Sequence, residues 1–225
     1  MRILLTHHFP LQQSPAGWLV WQWALALQAA GDEVRVLVAD DAHRFGEPLQ
    51  VDRVVCGTDP NADLRFDLPR FSTDAEASGT TFASLSGGEL ADYRERLRRR
   101  LDAIILRFDP HVIHAQHVWL LGQLALESGA PYVLSAWHPE LDDSRASDLL
   151  ASLAEQAAEN ASRILVPDES TRQRVEERFP TVHERTVVMP PELVLSEPDA
   201  SDESRQAAAV PLRSIYEAVL MERFG

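Results

Sequence analysis

Short apolar runs alternate with longer helical patterns along most of this 225-residue chain, and that alternation restricts the fold more than any single motif does. "RILLT" reads as a strand buried on both faces, and "GWLVWQWALALQAAG" as a helix closed by Gly31, the residue type best suited to a left-handed C-terminal cap. "EVRVLVA" and "VDRVVC" supply two further strands, followed by a polar stretch without clear period from Gly57 to about Gly88. A helix from about Gly88 to Phe108 leads into the strand "HVIHA". Then come a helix starting near Trp119, the strand "PYVLSA", a helix over about residues 145–160, the strand "RILVP", a helix over about residues 169–179 and the strand "RTVVMP". Strand, helix, strand repeated in this order requires parallel pairing with right-handed crossovers. The predicted class is α/β, a Rossmann-like open parallel sheet with helices on both faces.

The tail departs from this pattern. Residues 195–210, "LSEPDASDESRQAAAV", are acidic and lack an apolar period, so they read as a linker between a domain over residues 1–194 and a helix over residues 211–225. That helix carries Leu212, Ile215, Tyr216, Val219 and Leu220 on one stripe with Pro211 near its start, and it must dock on something. The tryptophan-rich first helix, with Trp18, Trp21 and Leu25 on one face and Leu19 and Trp23 offset from it, has apolar surface to receive it or a partner chain.

Composition removes several classes of function. A formal charge of -14 disfavours nucleic acid and anionic membrane as partners. All 21 basic residues are arginine, which excludes chemistry that depends on a lysine amine. In "YRERLRRRLDAIILRF" five arginines, Arg94 to Arg100, crowd two helical turns, but Leu97, Leu101, Ile104, Ile105 and Phe108 recur there at helical spacing, so the arginines fall mainly on a solvated face. No apolar run has the length of a transmembrane helix and "MRILLTHHFP" lacks signal-peptide features, so a cytoplasmic location is expected. The single cysteine, Cys56, is expected to be a buried, inert thiol.

Open parallel sheets bind ligands at the carboxyl ends of their strands. That rule gathers His7 and His8 after the first strand, His114, His117 and Trp119 after the fourth, and Trp137, His138 and Glu140 after the fifth. His111 precedes its strand and belongs to the opposite end. Three readings of the histidines stay open: imidazoles hydrogen-bonded in a buried sheet edge, a cleft lining in which they bond sugar hydroxyls while Trp119 or Trp137 stacks on a sugar face, and a metal site. Their spacing matches no standard zinc signature, and no metal or cofactor is expected.

Four segments, "MRILLTHHFPLQQSPAGWLVWQWALALQAAGDEVRVL", "FDPHVIHAQHVWLLGQLALESGAPYVLSAWHPEL", "ENASRILVPDESTRQRV" and "RTVVMPPEL", resemble in order the landmarks of the N-terminal domain of family-four retaining glycosyltransferases with the GT-B fold. The resemblance runs over residues 1–193. It implies one of two Rossmann-like halves that face each other across a cleft, the N-terminal half binding acceptor and the other gripping the nucleotide-sugar. It also implies a final helix that crosses back onto the first domain, as "PLRSIYEAVLMERF" does in appearance.

Three departures accompany the match. The family's paired glycines near the donor phosphates appear as Ala16 and Gly17, and its His-Gly after the fifth strand appears as His138 followed by Pro139. The second domain, with its E-x7-E glutamates, has no counterpart; Glu169 with Glu177 and Glu184 with Glu192 match that spacing by chance in an acidic chain.

The resemblance therefore implies a ligand cleft at His7, His8, Ala16, Gly17, His114, His117, Trp119, Trp137 and Glu140, with His138 serving the chemistry. The expected function is the acceptor-binding part of a sugar-transferring enzyme that needs a donor-binding partner subunit, or that self-associates. A non-catalytic module binding a sugar-like or nucleotide-like ligand or a protein is the alternative, and a metal-dependent hydrolase using His114, His117 and His138 is a third.

Overall fold

The computed structural model describes residues 1–44, 48–72, 79–143, 147–190 and 202–224. Among the described residues seven strands form one sheet: β1 (Arg2–His7), β2 (Glu33–Asp40), β3 (Gln50–Val55), β4 (Val112–Gln116), β5 (Tyr132–Ser135), β6 (Arg163–Val166) and β7 (Thr186–Val188). Their order is β3-β2-β1-β4-β5-β6-β7 and every pairing is parallel. The chain builds outward from β1 to β3 and then returns to place β4 on the other side of β1, so the sheet reverses direction between β1 and β4.

Alternation along each strand assigns its side chains to two cores. Ile3 and Leu5 of β1, the valines at 34, 36 and 38 of β2, and Val112 of β4 face one core; Leu4, Leu37, Ala39, Ile113 and Ala115 face the other. The first core is covered by α1 (Pro15–Ala29) and α7 (Asp202–Phe224). The second is covered by α2 (Gly87–Phe108), α3 (Leu121–Glu127), α5 (Asp148–Asn160) and α6 (Glu169–Arg178), with the short α4 (His138–Asp143) at the end of β5. Helix α2 behaves as its sequence predicts: Leu97, Leu101 and Ile104 are buried, while on the solvated side Arg94 pairs with Glu127, Arg98 with Glu95 and Asp102, and Arg99 with Glu95.

Several boundaries differ from the sequence-based expectation. Strand β3 stops at Val55, and Cys56 forms an isolated bridge to Leu64. Helix α3 begins at Leu121 rather than near Trp119, because Leu120 adopts positive φ (46°) and a left-handed residue cannot continue a right-handed turn. The expected helix over residues 145–160 begins at Asp148, and residues 144–146 lie outside the described residues. The largest difference is at the tail: α7 already starts at Asp202, so residues 202–210 of the expected linker are helical and Pro211 lies inside the helix. Pro211 looks like a start signal, but the preceding "RQAAA" is strongly helix-forming. The earlier part of that linker, residues 195–201, is outside the described residues.

Helix α7 lies on α1. Ala209, Leu212, Tyr216 and Val219 form its buried stripe and join Trp21, Trp23 and Leu27 in one apolar cluster. Arg213 pairs with the buried Asp32 at 3.2 Å, and Asp32 also meets the N-terminal ammonium at 2.5 Å. One buried histidine ties this layer to the sheet: His114 Nδ1 lies 2.7 Å from the Tyr216 hydroxyl and its Nε2 2.7 Å from Ser135 Oγ, with Trp23 stacked on the ring. Among the described residues no helix is long and apolar enough to cross a membrane.

Two expectations test this joint. Tyr216→Phe removes the hydroxyl and leaves His114 Nδ1 unpaired in the core, which is expected to cost about 1–3 kcal/mol in urea unfolding. Burial also lowers the His114 pKa to about 3. The folded state thus resists the protonation that the unfolded chain undergoes near pH 6.5, so stability is full above that pH and falls below it. At pH 5 the deficit from this residue is about 2 kcal/mol. In His114→Gln, the loss of unfolding free energy between pH 7.5 and pH 5 is expected to shrink by that amount.

Candidate functional site

At the carboxyl edge of the sheet a cleft of about 1140 Å³ opens between the loop after β1 and the segments after β2 and β3. It sits beside the β1–β4 reversal, where an open α/β sheet leaves room for a ligand. Phe9 and Pro10 follow β1. Ser14, Pro15 and Ala16 are the start of α1, and Asp41 follows β2. Cys56, Gly57, Thr58 and Asp59 follow β3, and Asp67, Arg70, Phe71 and Thr80 come from the long connection to α2. His117, Trp137 and Pro139 complete the lining from the ends of β4 and β5.

The start of α1 is fixed by local chemistry. Ser14 is in extended conformation and its hydroxyl accepts from the Gly17 amide at 3.0 Å, while Pro15 occupies a first-turn position where it loses no helical donor. Gly17 is buried, and a methyl group there would lie 2.5 Å from the Pro10 carbonyl and 3.0 Å from that of Leu11. Glycine at this position lets the loop after β1 fold back over the helix. Its neighbour Ala16 faces the cleft.

Carboxylates mark the β2–β3 wall. Asp40 is fully buried and pairs with Arg53 at 2.9 Å and Arg44 at 3.2 Å, while accepting from the amides of Asp41 and Ala42. This anchors the loop that carries Asp41 into the cleft. Partial burial, followed by the adjoining Asp40, raises the Asp41 carboxyl above its ordinary range. Cys56 is buried, and desolvation pushes its thiol up to about 12, so it is an inert part of the wall, as its sequence context suggests.

The histidines separate into groups. His117 lines the cleft with positive φ (77°), a conformation uncommon outside glycine and one that accumulates at functional sites. Its Nδ1 lies against Glu140 Oε2, Glu140 is fully buried, and Glu140 Oε1 accepts from the Val118 amide at 3.1 Å. Burial lifts the Glu140 carboxyl well above its usual range, against the lowering effect of backbone donors at Val118 and Trp137. His7 stacks on His117 with ring centroids 5.1 Å apart, and Phe71 meets the ring edge-on at 5.0 Å. His8 lies behind this layer, stacked on Trp119 and 2.9 Å from the Tyr93 hydroxyl. Burial and the neighbouring His117 lower the pKa of both His7 and His8 well below the ordinary histidine value.

Of the ten residues singled out from sequence, Ala16, His117 and Trp137 line the cleft. Glu140, His7, His8, Trp119 and Gly17 are buried behind or beneath that lining. His114 is elsewhere: strand alternation turns it toward α7, so it belongs to the packing of the sheet. His138 is half-buried at the start of α4, with Nδ1 3.0 Å from Arg174 Nη1, next to the lining residue Pro139. The three histidines of the hydrolase alternative therefore point to three different partners: Tyr216 and Ser135, Glu140, and Arg174. Among the described residues no group of three His, Cys, Asp or Glu side chains could hold a metal ion. His111 sits at the opposite end of the sheet, as expected, accepting from the Arg2 amide at 3.2 Å.

Sequence reasoning missed Phe9, Asp41, Asp59, Asp67, Arg70 and Phe71. Asp41 directly follows β2 and could have been marked by the rule that marked the histidines. The same rule reaches Asp59 in "CGTDPNAD" after β3, whereas the residues from Leu64 to Thr80 gave no such signal, because isolated bridges of Cys56 to Leu64 and Arg70 to Thr81 bring them to the cleft. The contact at Gly17 yields a direct expectation. Gly17→Ala forces the Pro10–Ser14 loop away from α1 and is expected to lower stability by about 1–3 kcal/mol in urea unfolding.

A family model described as a glycosyl transferase 4-like domain matches residues 16–192. No curated protein is significantly similar in sequence. Among solved structures, sucrose-phosphate synthase from Thermosynechococcus elongatus superposes with a TM-score of 0.53 at 14% identity, covering 84% of this chain and 48% of that one. A portion of the same synthase aligns with a TM-score of 0.55 at 15% identity, covering 97% of this chain and 99% of that one. UDP-GlcNAc 2-epimerase from Methanocaldococcus jannaschii gives a TM-score of 0.54 at 10% identity, over 86% of this chain and 46% of that one. The chain spans about half the length of the complete synthase and epimerase chains. At these identities the likeness establishes the fold, a half of the GT-B type, and with the match over residues 16–192 the chain belongs to the glycosyl transferase 4-like domain family.

Proposed function

We propose that this chain is the acceptor-binding half of a sugar-transferring enzyme and works against a donor-binding domain supplied by a partner subunit. The observation that carries the reading is the cleft lining. The carboxylates of Asp41, Asp59 and Asp67 can take hydroxyl protons as hydrogen-bond acceptors, and the faces of Phe9, Phe71 and Trp137 can cover the apolar face of a sugar ring. The first turn of α1 also faces the cleft, where the positive end of the helix and the Ala16 amide, the one first-turn N–H left over by Pro15 and the Ser14 cap, suit a phosphoryl group brought by the facing domain. In this arrangement the domain holds the acceptor hydroxyl in place, and most of the charge stabilisation comes from the donor side. Residues 189–201 are the whole connection between β7 and α7, too short to contain a donor-binding domain.

A second reading rests on His138. Its ring meets Arg174 and it lies outside the cleft lining, which suits a module that binds the same ligand without transferring it.

A thermal-shift series with simple glycosides, nucleoside diphosphates and nucleotide-sugars tests the site. A glycoside at ten times its Kd is expected to add about 1.4 kcal/mol and raise Tm by about 3–6 °C. Trp137→Ala is expected to abolish that rise while keeping the unliganded fold. No rise with any glycoside, or a rise that Trp137→Ala leaves intact, would sink the acceptor-cleft reading. Glycosyl transfer lost in His138→Ala, once a donor-binding partner is supplied, separates the enzyme from the binding module.

A further inference from the structure

A line of polar side chains runs from the α7 layer to the cleft wall. Tyr216, His114, Ser135 and Gln116 are all fully buried. His114 and Gln116 flank Ala115 on β4, and strand alternation puts both on the face that α1 and α7 cover. Trp137 packs against that same core and carries the line into the cleft lining. Its indole Nε1 donates to Gln116 Oε1 at 3.2 Å, and Gln116 Nε2 lies 3.5 Å from His114 Nε2. His114 is in turn held at 2.7 Å by both Ser135 Oγ and the Tyr216 hydroxyl.

Packing alone does not call for this line. An apolar side chain at position 116 would fill the space without taking an amide out of water, a cost recovered only where the amide's hydrogen bonds are made. The bonds also fix one another. An indole N–H can only donate, so the Gln116 oxygen faces Trp137 and its nitrogen faces His114. An amide nitrogen can only donate as well, so His114 Nε2 accepts. Burial keeps the His114 ring neutral, and its one hydrogen therefore sits on Nδ1, directed to Tyr216. Every donor points the same way, from the cleft toward α7, and bonds aligned like this polarise one another. The backbone beside Trp137 is anchored separately, by the Ala136 amide donating to the Leu165 carbonyl at 2.9 Å. That anchor leaves the ring plane unset, because the outer torsion of an aromatic side chain has broad wells. We propose that Gln116 is a positioning residue for the cleft: it holds the Trp137 ring in one plane, so that a ligand meets an aromatic face already ordered. Ordering the face before binding removes that cost from the affinity. That the ligand is a sugar ring rests on the acceptor-cleft reading, whereas the clamp on the indole stands without it.

Proton–nitrogen correlation spectra of the full chain, labelled with ¹⁵N at tryptophan and histidine and assigned with Trp137→Phe and His114→Gln, test the clamp. In the wild type at pH 7 the Trp137 indole hydrogen is expected to exchange with solvent at least about tenfold more slowly than an exposed indole. His114 is expected to carry its hydrogen on Nδ1. Exchange at the exposed rate, or a hydrogen on His114 Nε2, overturns the proposal, and both are read without any change at position 116. Gln116→Leu, which cannot accept from the indole, is expected to speed that exchange at least about tenfold and to raise the Kd of a glycoside that binds the wild type about 2- to 10-fold. A Gln116→Leu protein that is less stable but keeps the Trp137 exchange rate, or keeps the glycoside Kd, overturns the proposal as well. A protected indole in a wild type that binds no glycoside supports the clamp and counts against the acceptor reading alone.

Discussion

An all-parallel sheet must be covered on both faces, and the rest of this structure follows from how that requirement is met. On one face α2, α3, α5 and α6 supply the cover between successive strands. On the other, the described cover is α1 with α7 laid alongside it. The valines at 34, 36 and 38 and Val112 need more apolar surface than one helix presents, since burial is worth roughly 25 cal/mol per Å² and an uncovered strand face forfeits it. Helix α7 is therefore part of the domain's core although it lies last in the chain. Its stripe of Ala209, Leu212, Tyr216 and Val219 matches the tryptophan-rich face of α1.

Covering both faces leaves the carboxyl edge as the place where polar groups collect, and the structure handles them in two ways. His114 and Asp40 are satisfied by specific partners, Tyr216 with Ser135 and Arg53 with Arg44, and serve to hold elements together. His7 and His8 are kept neutral by burial and packed as aromatic rings against His117 and Trp119. That back wall packs against His117 at the point where the strand order reverses.

The fold was legible in the sequence because strands buried on both faces are written as unbroken apolar runs, which stand out against the helical periods between them. Parity along "HVIHA" also contained the answer for His114: it shares the side of Val112, the face that α1 and α7 cover, whereas Ile113 and Ala115 face the other core. That signal was outweighed by the cluster of histidines around it. Pro211 misled in the opposite direction, since a proline is most often an early helical residue and here has nine helical residues before it, 202–210. The β2–β3 wall was not legible. Asp67, Arg70 and Phe71 reach the cleft through a non-repetitive path, and no local period encodes where such a path returns.

Fold likeness does not choose the chemistry, because a sucrose-phosphate synthase and a UDP-GlcNAc 2-epimerase both superpose on this chain to a similar degree. The choice has to come from the side chains at the edge. A diphosphate site built by this domain alone would need several cations facing the ligand, yet Arg70 stands in the lining with Asp41, Asp59 and Asp67. Such a wall favours hydroxyl groups over phosphoryl groups, since a carboxylate accepts from the former and repels the latter. The helix N-terminus that could meet a phosphoryl oxygen, the first turn of α1, belongs to the other side of the cleft. The lining is thus polarised across its width, with carboxylates on the β2–β3 side and the N-terminal end of α1 on the β1 side. A polarised cleft of this kind suits a reaction in which one reactant offers hydroxyls and the other brings its charge from a facing domain.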